Sequence, residues 1–329
     1  MTSGELLAQF RGLRALVVGD LMLDEYLVGR ATRISPEAPV MVVRQEKRSL
    51  VPGGAANVAR NLAALGARVG LVGVVGEDDA GASLRAALEE SGIADACLVT
   101  DVSRPTTRKT RVMADHAHQV IRVDVESETP VSEKIERDVL LAAMKRLADW
   151  DVIVLSDYLK GTTTATVVGT MVKGARELGK PLVANPKPRS LSHYHGVSLV
   201  SLNRAEAAEA YGDGPLADAD APEVAAKLAE SIGADAALVT LGEAGLVVGR
   251  PGSEPISVSA RRVAVYDTAG AGDTVIACVA LGLAAAGVVP EVFRLAADAA
   301  ACVVRKVGVA APSEEDLAEI ASGYAGANP

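Results

Sequence analysis

The stretch with the clearest chemical potential is Asp267-Thr268-Ala269-Gly270-Ala271-Gly272-Asp273, which runs into the apolar segment Thr274-Val275-Ile276-Ala277-Cys278-Val279-Ala280. Small residues let a backbone approach a ligand closely. The first turn of a helix presents unpaired N–H groups at its positive dipole end. Together these features predict an anion cradle. Asp273 stands out within it. A carboxylate in a first helical turn is stabilised by the dipole, and Asp is a favoured N-cap, so capping alone is one reading. Beside a cradled phosphate it has a second use. The amides hold developing negative charge while the carboxylate accepts a proton from an attacking hydroxyl. Phosphoryl transfer needs that pairing.

The elements that must position this segment follow an alternating rhythm. Apolar, β-rich runs at Ala15–Gly19, Val69–Val75, Val152–Ser156, Pro181–Ala184, Ser198–Leu202 and Ala236–Leu241 predict strands. Amphipathic stretches at Ala55–Leu65, Ala80–Ser91, Glu133–Ala148, Ala165–Leu178, Pro222–Ile232, Ala271–Ala286 and Pro290–Val304 predict helices. Such alternation implies an α/β fold: a mostly parallel sheet covered by helices on both faces. Ligands bind beyond the carboxyl ends of strands in such sheets. Asp20, Asp157, Asn185, Lys187 and Asn203 all follow predicted strands, where one crevice could collect them.

Two segments break the rhythm. Val28–Leu50 and Thr106–Glu126 have strand-like composition without intervening helices. In the second, Thr110–Met113, a polar turn at Ala114–His118 and Val120–Val123 read as a hairpin. A small β-sheet inserted as a lid is one reading, and two surface hairpins are the other. With 329 residues, the expectation is one domain over 1–329 with lid segments near 28–50 and 106–126.

Composition narrows the function classes. The formal net charge is -9 and aromatics are scarce, which argues against a nucleic-acid partner. Cys97, Cys278 and Cys302 lie far apart and read as buried small hydrophobes in a reducing cytoplasm. The first residues lack a basic-then-apolar leader pattern, and the apolar run Val275–Val289 is short for a membrane span, so cytoplasmic work without a membrane is expected. His116, His118, His193 and His195 have no carboxylate or Cys at ligand spacing and read as loop residues. Gly174-Ala175-Arg176-Glu177-Leu178-Gly179-Lys180 has nearly P-loop spacing. Pro181 stands where a magnesium-holding Ser or Thr is needed, so Gly179 reads as a helix terminator. Gly19-Asp20-Leu21-Met22-Leu23 offers no dinucleotide fingerprint after the first strand.

Asp267–Asp273 resembles the C-terminal signature of ribokinase-like (PfkB) carbohydrate kinases. Pro52-Gly53-Gly54-Ala55-Ala56-Asn57-Val58-Ala59 resembles their N-terminal glycine motif. Both motifs stand in the family's order, and the resemblance runs from about Leu13 to about Gly308. Val18–Asp24, Arg33–Val40 and Leu155–Gly161 look more specifically like the heptose-7-phosphate kinases of lipopolysaccharide precursor synthesis. Tyr266-Asp267-Thr268 fits that likeness too. Many of those kinases are fused to an adenylyltransferase, and this chain resembles the stand-alone form.

The resemblance implies a ribokinase-like fold with a β lid, and roles for named residues. Asp273 is the expected base, with Gly270 in the same catalytic motif and the amides of Ala271, Gly272 and Asp273 as anion hole. Lys187 is expected to meet transferring phosphate oxygens. Asp20, Asp24, Gly53, Gly54, Asn57 and Asp157 are expected to face the sugar. Asn203 and Glu206 match the family's NxxE motif near Mg²⁺ and the ATP phosphates, with Glu206 acting through metal-bound water. A capping box accounts for the same two residues. Thr240, Gly242, Gly245 and Thr268 are expected on the nucleotide side. Lys109 and Arg111, within a basic cluster that includes Arg104 and Arg108, are expected to grip an already phosphorylated sugar.

One departure stands out: Asn185-Pro186-Lys187 occupies the place of the usual Asp-Pro-Lys. The expected reaction is Mg·ATP-dependent phosphorylation of D-glycero-D-manno-heptose 7-phosphate at its anomeric hydroxyl. A homodimer through the lid is expected. The alternatives are a ribokinase-like kinase acting on another sugar, sugar phosphate or nucleoside, and a non-catalytic sugar- or nucleotide-binding regulator on the same fold.

Overall fold

The computed structural model describes residues 1–93, 95–115, 118–212 and 214–323. Thirteen strands form two sheets among the described residues. In chain order they are β1 (Arg14–Gly19), β2 (Leu21–Ile34), β3 (Met41–Gly54), β4 (Arg68–Val75), β5 (Asp95–Thr100), β6 (Thr107–Ala114) and β7 (His118–Val125). Then follow β8 (Val152–Ser156), β9 (Leu182–Asn185), β10 (Leu199–Asn203), β11 (Ala236–Thr240), β12 (Leu246–Gly249) and β13 (Ile256–Val258).

The large sheet has nine strands in the order β13-β12-β11-β10-β9-β8-β1-β4-β5. From β11 to β5 every pairing is parallel, and β12 turns back antiparallel at one edge. The central strands are apolar throughout because helices cover both faces. Along β1, Ala15 and Val17 join one core while Leu16 and Val18 join the other. The helices Ala55–Ala64, Ala271–Ala286 and Pro290–Val303 pack into the first core, and Glu133–Met144, Ala165–Glu177 and Ala221–Ser231 into the second.

The second sheet has four strands in the order β3-β2-β6-β7. It is rooted at the carboxyl edge of the large sheet. Strand β2 begins one residue after Asp20, and β3 ends directly before the helix Ala55–Ala64. Residues Leu21–Tyr26 are buried, while Thr32–Ile34 are exposed, so the sheet projects outward from its root. Its first two strands therefore start nearer the core than the expected segment 28–50, while β6 and β7 fall within the expected 106–126.

Other expectations need correction. Strands β5, β12 and β13 and the helix Ser3–Phe10 were not expected as elements, while the capping box at Asn203–Glu206 does open a helix, Arg204–Tyr211. Strand β5 lies at the sheet edge with only Leu98 buried, so its apolar signal is thin, and Cys97 on it is exposed rather than buried. Arg204–Tyr211 buries only Ala207 and has little amphipathic pattern. The helix expected to reach Ala148 ends at Met144 and is followed by a 3₁₀ turn at Leu147–Asp149. His118 opens β7 and His193 lies in a 3₁₀ turn at Pro188–Tyr194, so neither is a plain loop residue; His116 lies outside the described residues. Among the described residues, no histidine joins a group of side chains close enough to share a metal ion. Nor, among them, is any helix long and apolar enough to cross a membrane.

Candidate active site

The parallel strands deliver their following residues to one edge. The helix Ala271–Ala286 arrives at that same edge. Its N-cap is Gly270, at φ +82, where a Cβ would lie 2.9 Å from Asn57 Nδ2. No side chain caps this helix. The carboxylate of Asp273, 6% exposed, accepts instead from Asn57 Nδ2 at 2.7 Å and from the Tyr158 hydroxyl at 2.6 Å. The capping-only reading therefore fails. Burial pushes Asp273 up to about 6, the bonds from Asn57 and Tyr158 oppose the rise, the nearby Asp24 charge adds to it, and Lys187 opposes it. Asp273 is thus a buried carboxylate with a raised pKa and one hydrogen-bond donor on each oxygen.

Asn57 uses its amide N–H on Asp273, is fully buried, and so fixes the orientation of that carboxylate. Asn61, one turn on, donates to the Asn57 carbonyl at 2.9 Å and accepts from Thr274 Oγ at 2.7 Å, which ties the two helices together. The glycine motif serves close approach. A Cβ on Gly53 would lie 2.1 Å from Asp24 Oδ2.

Asp20 and Asp157 sit where strand ends predicted them, and both accept hydrogen bonds from within the protein. Asp20 is 0% exposed and accepts backbone N–H bonds from Tyr158 (2.8 Å), Lys160 (2.9 Å) and Thr162 (3.0 Å). Burial and the neighbouring Asp157 charge raise its pKa against those three donors. Asp157, 1% exposed, accepts from the Leu159 amide, Ser190 Oγ and the Tyr194 hydroxyl. Together they fix the loop after β8 that carries Tyr158.

Lys187, after β9, donates to Glu206 Oε1 at 2.5 Å, and its ammonium lies 4.9 Å from the centre of the Tyr158 ring. Asn203 and Glu206 form a reciprocal capping box, with Glu206 Oε2 accepting from the Asn203 amide at 2.9 Å. Glu206 thus caps its helix and holds Lys187 together. Asn185 Oδ1 is buried with no hydrogen-bond partner among the described residues.

On the other side of the helix start opens a cleft of about 1690 Å³. Asn203, Thr240, Gly242, Gly245, Thr268, Ala271 and Gly272 line it. Val263, Val275, Ala297 and Val304 add an apolar wall, and Arg261 and Arg262 add charge at its lining. Gly272 is exposed, and nothing lies within 4 Å of where its Cβ would stand.

On the small sheet, Asp24 stands opposite Lys109, and Arg111 lies two residues on along the same face. Arg111 pairs with Asp24 and lies 5.3 Å from the centre of the Tyr26 ring. Lys109 pairs with Asp124 at 3.0 Å and Glu126 at 3.1 Å. The two cations expected to stand free for a phosphate are thus already paired. Arg104 binds Asp101 and the carbonyls of Lys160 and Thr129, a structural role. Tyr158 is the site residue that sequence reasoning left without a role, although it lies inside the quoted motif Leu155–Gly161.

Residues 13–316 match the family model described as pfkB family carbohydrate kinase. The "Bifunctional protein HldE" of Caulobacter vibrioides is 44% identical over 319 residues, covering 96% of this chain, and that of Caulobacter sp. strain K31 is 42% identical over 330 residues, covering 98%. The chain spans 65% of the length of each of these relatives. Among solved structures, phosphofructokinase-2 from Escherichia coli in complex with potassium superposes with a TM-score of 0.79 at 20% identity, covering 95% of this chain and 99% of that one. Ribokinase of Arabidopsis thaliana with ribose and ATP superposes with a TM-score of 0.72 at 20% identity, covering 94% and 99%. These likenesses give the fold as ribokinase-like. The chain, with a buried acid at a glycine-rich helix start, belongs to the pfkB family of carbohydrate kinases.

Proposed function

We propose that this kinase transfers the γ-phosphoryl group of ATP to the anomeric O1 of D-glycero-D-manno-heptose 7-phosphate. The observation that carries the reading is the position of Asp273. Its carboxylate is buried beside Asn57 and Tyr158, while Gly272 of the same helical turn opens onto the nucleotide cleft. Base and anion hole thus share one turn.

In the proposed step, Asp273 takes the proton of the acceptor hydroxyl as its oxygen attacks the γ-phosphorus. The new P–O bond forms as the bond to the β,γ-bridging oxygen breaks, and that oxygen leaves with ADP. The amides of Gly272 and Asp273 precede the first hydrogen bond of the helix, which runs from Thr274 to Gly270. They are free to meet charge on the transferring group. Lys187 supplies a cation on the phosphate side.

Hard divalent ions take oxygen donors and keep several waters. The unpartnered oxygen of Asn185 and the carboxylate of Glu206, at neighbouring strand ends, fit Mg²⁺. They would hold it, Glu206 through water, and the ion would neutralise charge on the phosphates. An amide at position 185 in place of the usual carboxylate still offers the oxygen.

Support for a phosphorylated heptose comes from the HldE relatives and from Lys109 and Arg111 on the site-facing side of the small sheet. A sugar phosphate would exchange with the carboxylates that pair these cations. In this reading one catalytic unit spans 1–329, and the small sheet is a lid whose closure excludes water as a competing acceptor. The exposed Ile121, Val123 and Val125 repeat along one face of β7 and would be covered by the same sheet of a second copy. The reading implies cytoplasmic work, where ATP is available.

An ADP-release assay across heptose 7-phosphate, unphosphorylated heptose, fructose 6-phosphate, ribose and adenosine tests the acceptor. The expected result is a kcat/KM for heptose 7-phosphate about 100-fold above the rest, in line with a buried charge pairing. Preference for an unphosphorylated sugar refutes the phosphate clamp.

A further inference from the structure

Tyr158 touches Asp273, Lys187 and Asp20. Its hydroxyl donates to Asp273 Oδ1 at 2.6 Å. Its ring face lies under the Lys187 ammonium, 4.9 Å away. Its backbone N–H donates to Asp20 Oδ2 at 2.8 Å, and Asp20 also receives the amides of Lys160 and Thr162. The side chain is therefore held at its root by a buried carboxylate and at its tip by the base. Along its length it carries the phosphate-side cation.

We propose that Tyr158 is a positioning residue for phosphoryl transfer, coupling Asp273 and Lys187 into one preset unit through its hydroxyl and its ring. The inference rests on the reading of Asp273 as the base. Two features support it. The Asp273 carboxylate receives one donor on each oxygen, Asn57 on Oδ2 and Tyr158 on Oδ1, so its plane is fixed before an acceptor arrives. The phenol is also an obligate donor. Burial, then the Asp273 charge, push its pKa well above the ordinary tyrosine value, so the proton stays on the phenol oxygen. A donor of that kind favours the ionised carboxylate over the protonated one.

The charged groups around the pair are Asp24 on the small sheet, Lys187 after β9 and Glu206 after β10. Asp24 raises the Asp273 pKa and Lys187 lowers it. Asp24 is itself paired with Arg111, and Glu206 with Lys187. Tyr158 is thus, with Asn57, a neutral group that opposes burial without adding charge to the site.

Two substitutions separate the functions. Tyr158→Phe keeps the ring under Lys187 and removes the hydroxyl. Tyr158→Leu removes both. The direct measurement follows the Asp273 carboxyl carbon by ¹³C NMR against pH in the folded protein, with Asp273→Asn identifying the resonance. The midpoint is expected to move up by about one unit from its parent value in Tyr158→Phe, the scale of a lost hydrogen bond to a charged group. Kinetics with ATP and heptose 7-phosphate should show the acid limb of the kcat profile moving by the same amount, with KM for ATP unchanged. Tyr158→Leu should in addition raise KM for ATP severalfold as Lys187 is released. An unmoved midpoint, or a kcat lowered equally at all pH values, overturns the inference, because a merely structural tyrosine gives that result. If Asp273→Asn keeps its turnover, the base assignment fails instead. The NMR midpoint still reports on Tyr158 alone.

Discussion

Asp273→Asn should make the folded protein more stable while removing the proposed base. The reason is the direction of the Asp273 shift. Its pKa rises from 3.8 to about 6 on folding, mainly through burial. Stability from such a group is fully present below the unfolded value and is lost as pH rises through the folded one. At pH 7.5 both states are ionised, and the folded state carries a penalty of about 2.2 units, or roughly 3 kcal/mol. Asparagine is neutral and nearly isosteric. Its oxygen can accept from Asn57, and its amide can donate to Tyr158, whose hydroxyl turns to accept. For a chain of 329 residues the unfolding entropy is on the order of 0.7 kcal/mol per kelvin, so the gain corresponds to about 4 °C in Tm. Thermal melting of both proteins from pH 3.5 to pH 8 checks this. The gap should open between about pH 4 and pH 6 and stay constant above. A parent protein more stable than the variant at pH 7.5, or a gap independent of pH, refutes the reasoning that a buried, destabilised carboxylate is held here for chemistry.

Other expected outcomes concern the partners of that acid. Lys187→Met should lower kcat by about 100-fold, the scale of removing one group that stabilises transition-state charge, and should move the acid limb upward because the lysine charge holds Asp273 down. Steady-state pH profiles report both effects. Gly245→Ala should raise KM for ATP and cost on the order of 3 kcal/mol in urea unfolding, since φ is +101 and the new Cβ would lie 2.0 Å from the Val258 carbonyl oxygen. Ile121→Asp with Val123→Asp should convert the proposed dimer to a monomer in sedimentation velocity. A monomeric parent removes the lid-to-lid reading.

The parts of the fold that were legible in the sequence are those whose signal is local. Strands β1, β4 and β8 are buried on both faces, so their apolar runs are continuous, and their expected bounds fall within one residue of those observed. Strand β5 and the β12–β13 edge were hidden because short or half-exposed strands carry little such signal. The strand-end rule brought Asp20, Asp157, Lys187 and Asn203 to one edge. It does not say which way a carboxylate turns. Asp20 faces three backbone amides supplied by a loop 138 to 142 residues away, a fact fixed by tertiary structure alone. Lys109 and Arg111 read as free cations because their partners, Asp124, Glu126 and Asp24, come from other strands and the adjoining loop. Tyr158 carried no chemical signal of its own until Asp273 and Lys187 stood on either side of it.

The kinetic consequence of Asp273→Asn bears most directly on the mechanism. With ATP and heptose 7-phosphate saturating, kcat should fall by about 1000-fold, within the range for loss of a positioned general base. ATP affinity, measured by calorimetry on the same preparation, should stay within about twofold, because the nucleotide cleft lies on the other side of the helix start. Turnover within tenfold of the parent contradicts the assignment of Asp273 as the base.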